Sequence, residues 1–212
     1  LNFIRTLEPA LRDRRYIRLK DRLLLLVYRP SLLPDAARTA AIWRSYCRES
    51  GLGELYLASI QSFGDIGDPR TFGFDAAIEF PPHAMAVLAQ QPAEMYNPNF
   101  QGMFYDYPAT ADFFMNRSPM PYPFFRTAMP SWDNTARRQD TSDIFLNAKP
   151  DYYERWLKRL IEETRWYRSA GERLVFINAW NEWAEGNHLE PDRQYGHRYL
   201  EATRNALGEQ GC

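Results

Sequence analysis

Little in this sequence equips it for metals, nucleotides or membranes. Cys47 and Cys212 are the only cysteines and imply no disulfide framework, so a reducing, cytoplasmic setting is the expectation. His83, His188 and His197 form no close ligand pair and no Cys-x-x-Cys accompanies them, so no metal is expected. Glycine loops of the P-loop or dinucleotide type are missing, which leaves no cofactor to expect. The Asp-x-Asp pattern is missing too, which leans against a metal-dependent nucleotide-sugar transferase. Basic and acidic residues number 26 and 27, for a net charge of −1, and no global field draws the chain to nucleic acid or anionic lipid. The apolar run at residues 23–28 is far below membrane-spanning length, so no transmembrane segment is expected.

What the chain has is apolar and aromatic surface. Its 212 residues are 45% hydrophobic, enough for one globular domain over residues 1–212. Aromatics reach 15%, a share that suits a Trp-rich core and sugar-stacking surfaces alike.

Five segments read as strands: residues 23–28, 54–61, 74–80, 124–129 and 174–177. Arg29 and Pro30 end the first, and Pro81 and Pro82 the third, because proline cannot donate to a sheet. Residues 174–177 are apolar without alternation, the pattern of a strand buried on both faces. Ala36, Ala40, Trp43 and Cys47 recur at helical spacing up to Gly51, with Pro34 in the first turn. Residues 151–169 are the best helix, with Tyr153, Trp156, Leu157, Leu160, Ile161, Thr164 and Tyr167 on one face and Gly171 placed to end it. Residues 2–12 suit a helix end, and Tyr195, Tyr199, Ala202 and Ala206 a closing helix that stops near Gly208. Between residues 90 and 122, repeated prolines predict a long loop, a functional insertion partly covering a cleft. Strands alternating with helices give an α/β fold on a parallel sheet.

The densest chemistry follows the fifth strand, where an α/β fold opens its cleft. Asn181, Glu182, Glu185 and Glu190 gather acceptors there, and Trp180 and Trp183 set indoles beside them. Glycosyl chemistry uses two carboxyl groups, one to protonate the leaving oxygen and one as base or nucleophile. Glu182 and Glu185 offer that pair, on one side of the chain if the backbone turns helically. A second constellation, Trp132, Asp133, Asn134, Arg137 and Arg138, suits hydroxyl or phosphate recognition. Its bland alternative is an Asp/Asn turn with arginines lying over the surface. Tyr28, Gln61 and His83, with Arg29 and Glu79, sit at or just past strand ends and are further substrate-binding candidates.

The motif Trp180, Asn181, Glu182, Trp183, Ala184, Glu185, Gly186, followed by Leu189, Glu190, Pro191 and by Tyr195, Gly196, resembles the last-strand motif of the WbsX family of bacterial polysaccharide-biosynthesis proteins. That family is similar to glycoside hydrolase family 99, the endo-acting α-mannosidases and mannanases. Residues 13–17, 28–30, 80–83 and 130–138 resemble further WbsX blocks in the same order. The resemblance implies a (β/α)8 TIM-type barrel, of which these are about five βα units, the C-terminal part, with the N-terminal strands missing. The chain starts at Leu1 and is expected to be the C-terminal part of a longer protein. The resemblance also implies roles: Glu182 as base on a sugar 2-hydroxyl, giving an anhydro-sugar intermediate, and Glu185 as general acid, then base. An enzyme cleaving or transferring glycosyl units on bacterial surface polysaccharide, with an oligosaccharide or polysaccharide substrate, is the leading expectation. The alternatives are a glycosyltransferase of O-antigen or lipopolysaccharide assembly, and a non-catalytic glycan binder or inactive truncated barrel.

Overall fold

The structure, a computed structural model, describes residues 1–83, 86–92, 95 and 97–208; Cys212 lies outside them. In chain order the elements are α1 (Asn2–Leu11), β1 (Arg18–Leu19), β2 (Arg22–Val27), α2 (Ala36–Glu49), β3 (Leu55–Ile60), β4 (Ala76–Ile78), β5 (Met103–Asp106), α3 (Tyr107–Met115), β6 (Phe124–Phe125), β7 (Thr127–Ala128), α4 (Thr135–Arg138), β8 (Asp143–Leu146), α5 (Pro150–Tyr167), β9 (Phe176–Ile177), β10 (Asn181–Glu182), β11 (Asn187–His188) and α6 (Arg198–Leu207). The fold is mixed α/β, and most of its strand pairs are parallel. No described helix is long and apolar enough to cross a membrane. The chain divides into two compact units, Leu1–Ala84 with Pro119–Phe125 and Arg168–Leu174, and Met85–Ser118 with Arg126–Tyr167 and Val175–Cys212.

The first unit is built on a sheet of order β1-β2-β3-β4-β6. β2, β3, β4 and β6 run parallel, with Leu25 opposite Leu57 and Ile60 opposite Ile78. β3 lies inside the sheet, and its unbroken apolar run is buried on both faces from Leu55 to Ser59. α2 buries Ala40, Trp43 and Cys47 against Leu23, Leu25, Leu55 and Leu57, each large side chain contributing about 1.5–3 kcal/mol. Asp35 caps this helix by accepting the Arg38 amide at 2.8 Å. Pro34 precedes the helix and does not lie in its first turn.

In the second unit the strands are short and the helices supply the bulk. α5 presents Tyr153, Trp156, Leu157, Leu160, Ile161 and Thr164 to a core shared with α3 and α6. Tyr167, expected on that face, is 69% exposed because the helix ends at it, and Gly171 lies beyond the helix in a 3-10 turn. α6 buries Tyr199, Ala202 and Ala206 and stops at Gly208, whose φ of 80° suits glycine.

Two further expectations need correcting. Residues 90–122 are not one long loop, since β5 and α3 lie within them and Tyr107, Ala111 and Phe114 are fully buried. Pro108 starts α3 instead of breaking it: Asp106 caps the helix through the Ala109 amide, and proline at a first turn costs no hydrogen bond. Residues 174–177 are half-buried, not buried on both faces. Their strand, β9, belongs to a two-stranded sheet with β7 and so lacks the flanking strands that bury β3.

Candidate active site

The candidate pair stands on a hairpin. β10 and β11 run antiparallel, with Asn181 opposite His188 and Glu182 opposite Asn187. Trp183–Glu185 form a single 3-10 turn between them, closed by Gly186 at φ 57°. Glu182 precedes that turn as its N-cap and Glu185 ends it. A single guanidinium meets both: Arg137 Nη1 lies 2.5 Å from Glu185 Oε1 and Nη2 3.8 Å from Glu182 Oε1. The two carboxyl oxygens are therefore no more than about 9 Å apart, inside the span over which acid/base carboxyl pairs act on a glycosidic bond.

The two constellations of the sequence are one site. The Asp133 amide donates to the Glu185 carbonyl at 2.8 Å, and the Ser131 hydroxyl to the Gly186 carbonyl at 2.5 Å. A Cβ at Gly186 would stand 2.7 Å from the Asp133 carbonyl oxygen and 2.9 Å from its amide nitrogen, so the crossing of the two loops demands glycine. Asp133 accepts the amide and hydroxyl of Thr135, a local turn that starts α4 and carries Arg137 to the carboxylates.

Burial pushes the Glu185 carboxyl up; Arg137 pulls it down, Glu182 pushes it up again, and Arg138 opposes, leaving a net rise above the ordinary glutamate value. The indoles flank this pair differently. Trp180 is 53% exposed, while its carbonyl accepts the Leu189 and Glu190 amides. Trp183 lies on the His188 ring, with centroids 3.7 Å apart, and donates to Glu190 Oε2 at 2.7 Å. His188 in turn meets Asp192 at 3.3 Å, and Asp192 accepts the amides of Gln194 and Tyr195. Sequence reading missed this support; the signal was the four-residue spacing of His188 and Asp192. Asn187 is fully buried opposite Glu182, with neither end of its amide partnered among the described residues.

Several candidates are packed or hydrogen-bonded within their own unit. Trp132 is 8% exposed and belongs to the core of its unit. Asn134 is buried, and its Oδ1 accepts the Asp143 amide at 2.7 Å, so the turn alternative describes it. Asn181 is an exposed β10 residue next to the pair. In the first unit, Gln61 is 1% exposed and donates to the Ile66 carbonyl and Tyr122 hydroxyl, both at 3.0 Å, which makes it a loop support. Tyr28 packs edge-on against Phe63 and Phe80, and His83 stacks on Phe80 with burial pushing its imidazole down. Among the described residues no three His, Cys, Asp or Glu side chains gather closely enough to hold a metal ion.

No solved structure matches this chain. Two proteins, each named uncharacterized protein WxcX, from Xanthomonas campestris pv. campestris strains B100 and ATCC 33913, are 44% identical to it over 210 residues. That match covers 98% of the chain and 30% of each relative, so the chain spans about a third of their length. The model of the family described as glycosyltransferase WbsX matches residues 1–203, and the chain belongs to that family.

Proposed function

We propose that this chain handles glycosyl units of a bacterial surface polysaccharide and that Glu182 and Glu185 are its acid/base pair. Family membership supports the glycosyl-handling role, and the placement of both carboxyl groups around the Arg137 guanidinium supports the pair. Glu185 has the raised pKa, so it holds the proton for the leaving oxygen. Glu182, the more exposed at 42%, is the carboxylate base. Trp180 offers its free indole face to a pyranose ring. The strands read as the later units of a (β/α)8 barrel similar to that of glycoside hydrolase family 99, a reading supported by candidates that follow one strand after another.

The family description favours a second reading, transfer from an activated donor through the same carboxyl pair. Incubating the intact protein with its host's surface polysaccharide separates the two. Release of reducing ends without any donor, lost in Glu185→Gln, is expected. Product that forms only when a nucleotide- or lipid-linked sugar is supplied would favour transfer, and release undiminished in Glu185→Gln would remove the proposed acid.

A further inference from the structure

A cleft of about 490 Å³ lies in the second unit, within the size range of small-ligand sites. Phe100, Phe104 and Ile144 form its apolar floor, and Thr135, Gln139 and Asp140 its polar edge. The floor is rigid. The two phenyl rings pack at 5.0 Å, and Phe100 lies so close over Gly102 that a Cβ there would meet the ring at 2.6 Å and the Ser142 carbonyl at 1.9 Å. The edge is held as firmly. Asp140 accepts the Gln101 amide on its carbonyl at 2.6 Å and the Asn97 amide on Oδ1 at 2.7 Å, and among the described residues its Oδ2 has no partner. Gln139 keeps φ 51° and ψ −115°, a conformation unfavourable for any residue with a side chain, and such strain concentrates at ligand sites.

We propose that this cleft binds a 6-deoxyhexose of the same glycan, in a subsite next to the one at Glu182 and Glu185. The inference rests on the glycosyl-handling reading above. A pyranose has one C–H face for the phenyl floor and hydroxyls for the Asp140 carboxylate and Gln139 amide. A methyl at C6 would find apolar partners in Ile144 and Met95, which line the cleft with the two phenyl rings. A lipid chain would strand the Asp140 carboxylate, and a nucleobase would find a platform on one face only. The neighbouring position follows from Thr135, which lines the cleft and donates its amide to Asp133 Oδ1, while the Asp133 amide donates to the Glu185 carbonyl.

The test uses the intact protein with 13C-labelled methionine methyls. Met95 lines the cleft and is assigned by Met95→Leu, while Met129, fully buried, is the control. The probes are methyl α-L-rhamnopyranoside and methyl α-L-mannopyranoside, which differ only by the 6-hydroxyl. The Met95 signal is expected to titrate with the first and, about fivefold more weakly, with the second. Phe100→Ala and, separately, the surface change Asp140→Asn should each raise the rhamnoside dissociation constant about tenfold. Glu185→Gln should leave that titration unchanged, which keeps the cleft apart from the acid. A silent Met95, equal affinity for both sugars, or titration indifferent to both cleft variants overturns the proposal even where turnover depends on Glu185. A Met95 response in a protein whose turnover ignores Glu185 keeps the subsite and removes the acid.

Discussion

Asp75 in the first unit and Glu185 in the second bind arginine at nearly the same side-chain exposure, 22% and 21%. Burial raises the pKa of both, yet the net shift of Asp75 is downward and that of Glu185 upward. The partners account for the difference. Asp75 receives Arg22 at 2.8 Å, Arg44 at 2.7 Å and the Leu57 amide at 2.9 Å, and these together outweigh the cost of burial. Glu185 receives one close guanidinium and faces a second carboxylate that the same guanidinium attracts. A carboxylate with both oxygens filled ties strands together, whereas one left short of partners beside a like charge can keep a proton for a reaction.

Swapping each acid for its amide is the sharpest way to break that contrast. Glu185→Gln is expected to lower turnover by about 10²- to 10⁴-fold, as loss of a general acid does. Because Arg137 is 52% exposed, the lost ion pair should change unfolding free energy by less than about 1 kcal/mol, read by chemical denaturation. A variant that loses stability but keeps turnover would make Glu185 a structural ion like Asp75.

Asp75→Asn should do the reverse. It leaves Arg22 and Arg44 without their counter-charge and is expected to cost about 3 kcal/mol, with turnover per folded molecule unchanged. The sign with pH follows from the depressed folded pKa. The Asp75 contribution is fully present above the ordinary aspartate value and is lost as pH falls through the lower, folded value. Acid should therefore narrow the stability gap between wild type and Asp75→Asn; a gap constant down to the acid end would show that the carboxylate charge is not what matters.

Gly186→Ala tests whether the fold brings the two loops of the site together as the contacts indicate. The φ of 57° and the approach to the Asp133 backbone each oppose a Cβ, for an expected cost of about 2 kcal/mol. Turnover should fall with it, since Glu185 and Arg137 meet across that crossing. Gly208→Ala, also at positive φ but with open space around its Cβ, is the control for backbone strain alone. Equal effects of the two on turnover would separate the loop crossing from the chemistry.

These residues also mark how far sequence reading reached. Periodicity located the five expected strands, although residues 124–129 divide into β6 and β7 in separate sheets and Tyr195 precedes α6, and it located most of the buried faces of α2, α5 and α6, because hydrophobic spacing is a local signal. Failures came where a neighbour decided the outcome: β9 needed flanking strands to be buried, and Pro108 read as a breaker until Asp106 was seen to cap the helix it starts. In the site, residue types picked out Glu182 and Glu185, but not the Asp133–Glu185 crossing that joins loops some fifty positions apart. Nor could they tell that Trp132, Asn134 and Gln61 turn inward, since an indole or amide written in a motif has no stated direction.

The finest probe of the contrast is Arg137→Gln, because Arg137 is what makes Glu185 resemble Asp75 at all. Among the influences on Glu185, Arg137 is the largest pull downward against burial, so its removal should raise the carboxyl pKa further. A general acid works while protonated, and turnover falls as pH rises through its pKa; the basic limb of the pH profile should therefore move to higher pH, by about one unit or less at this exposure. Direct 13C titration of the Glu185 carboxyl in the intact protein reads the same shift without turnover. Movement of the limb to lower pH would mean that Glu182, relieved of its shared cation, has taken the proton, and the two roles would then be exchanged.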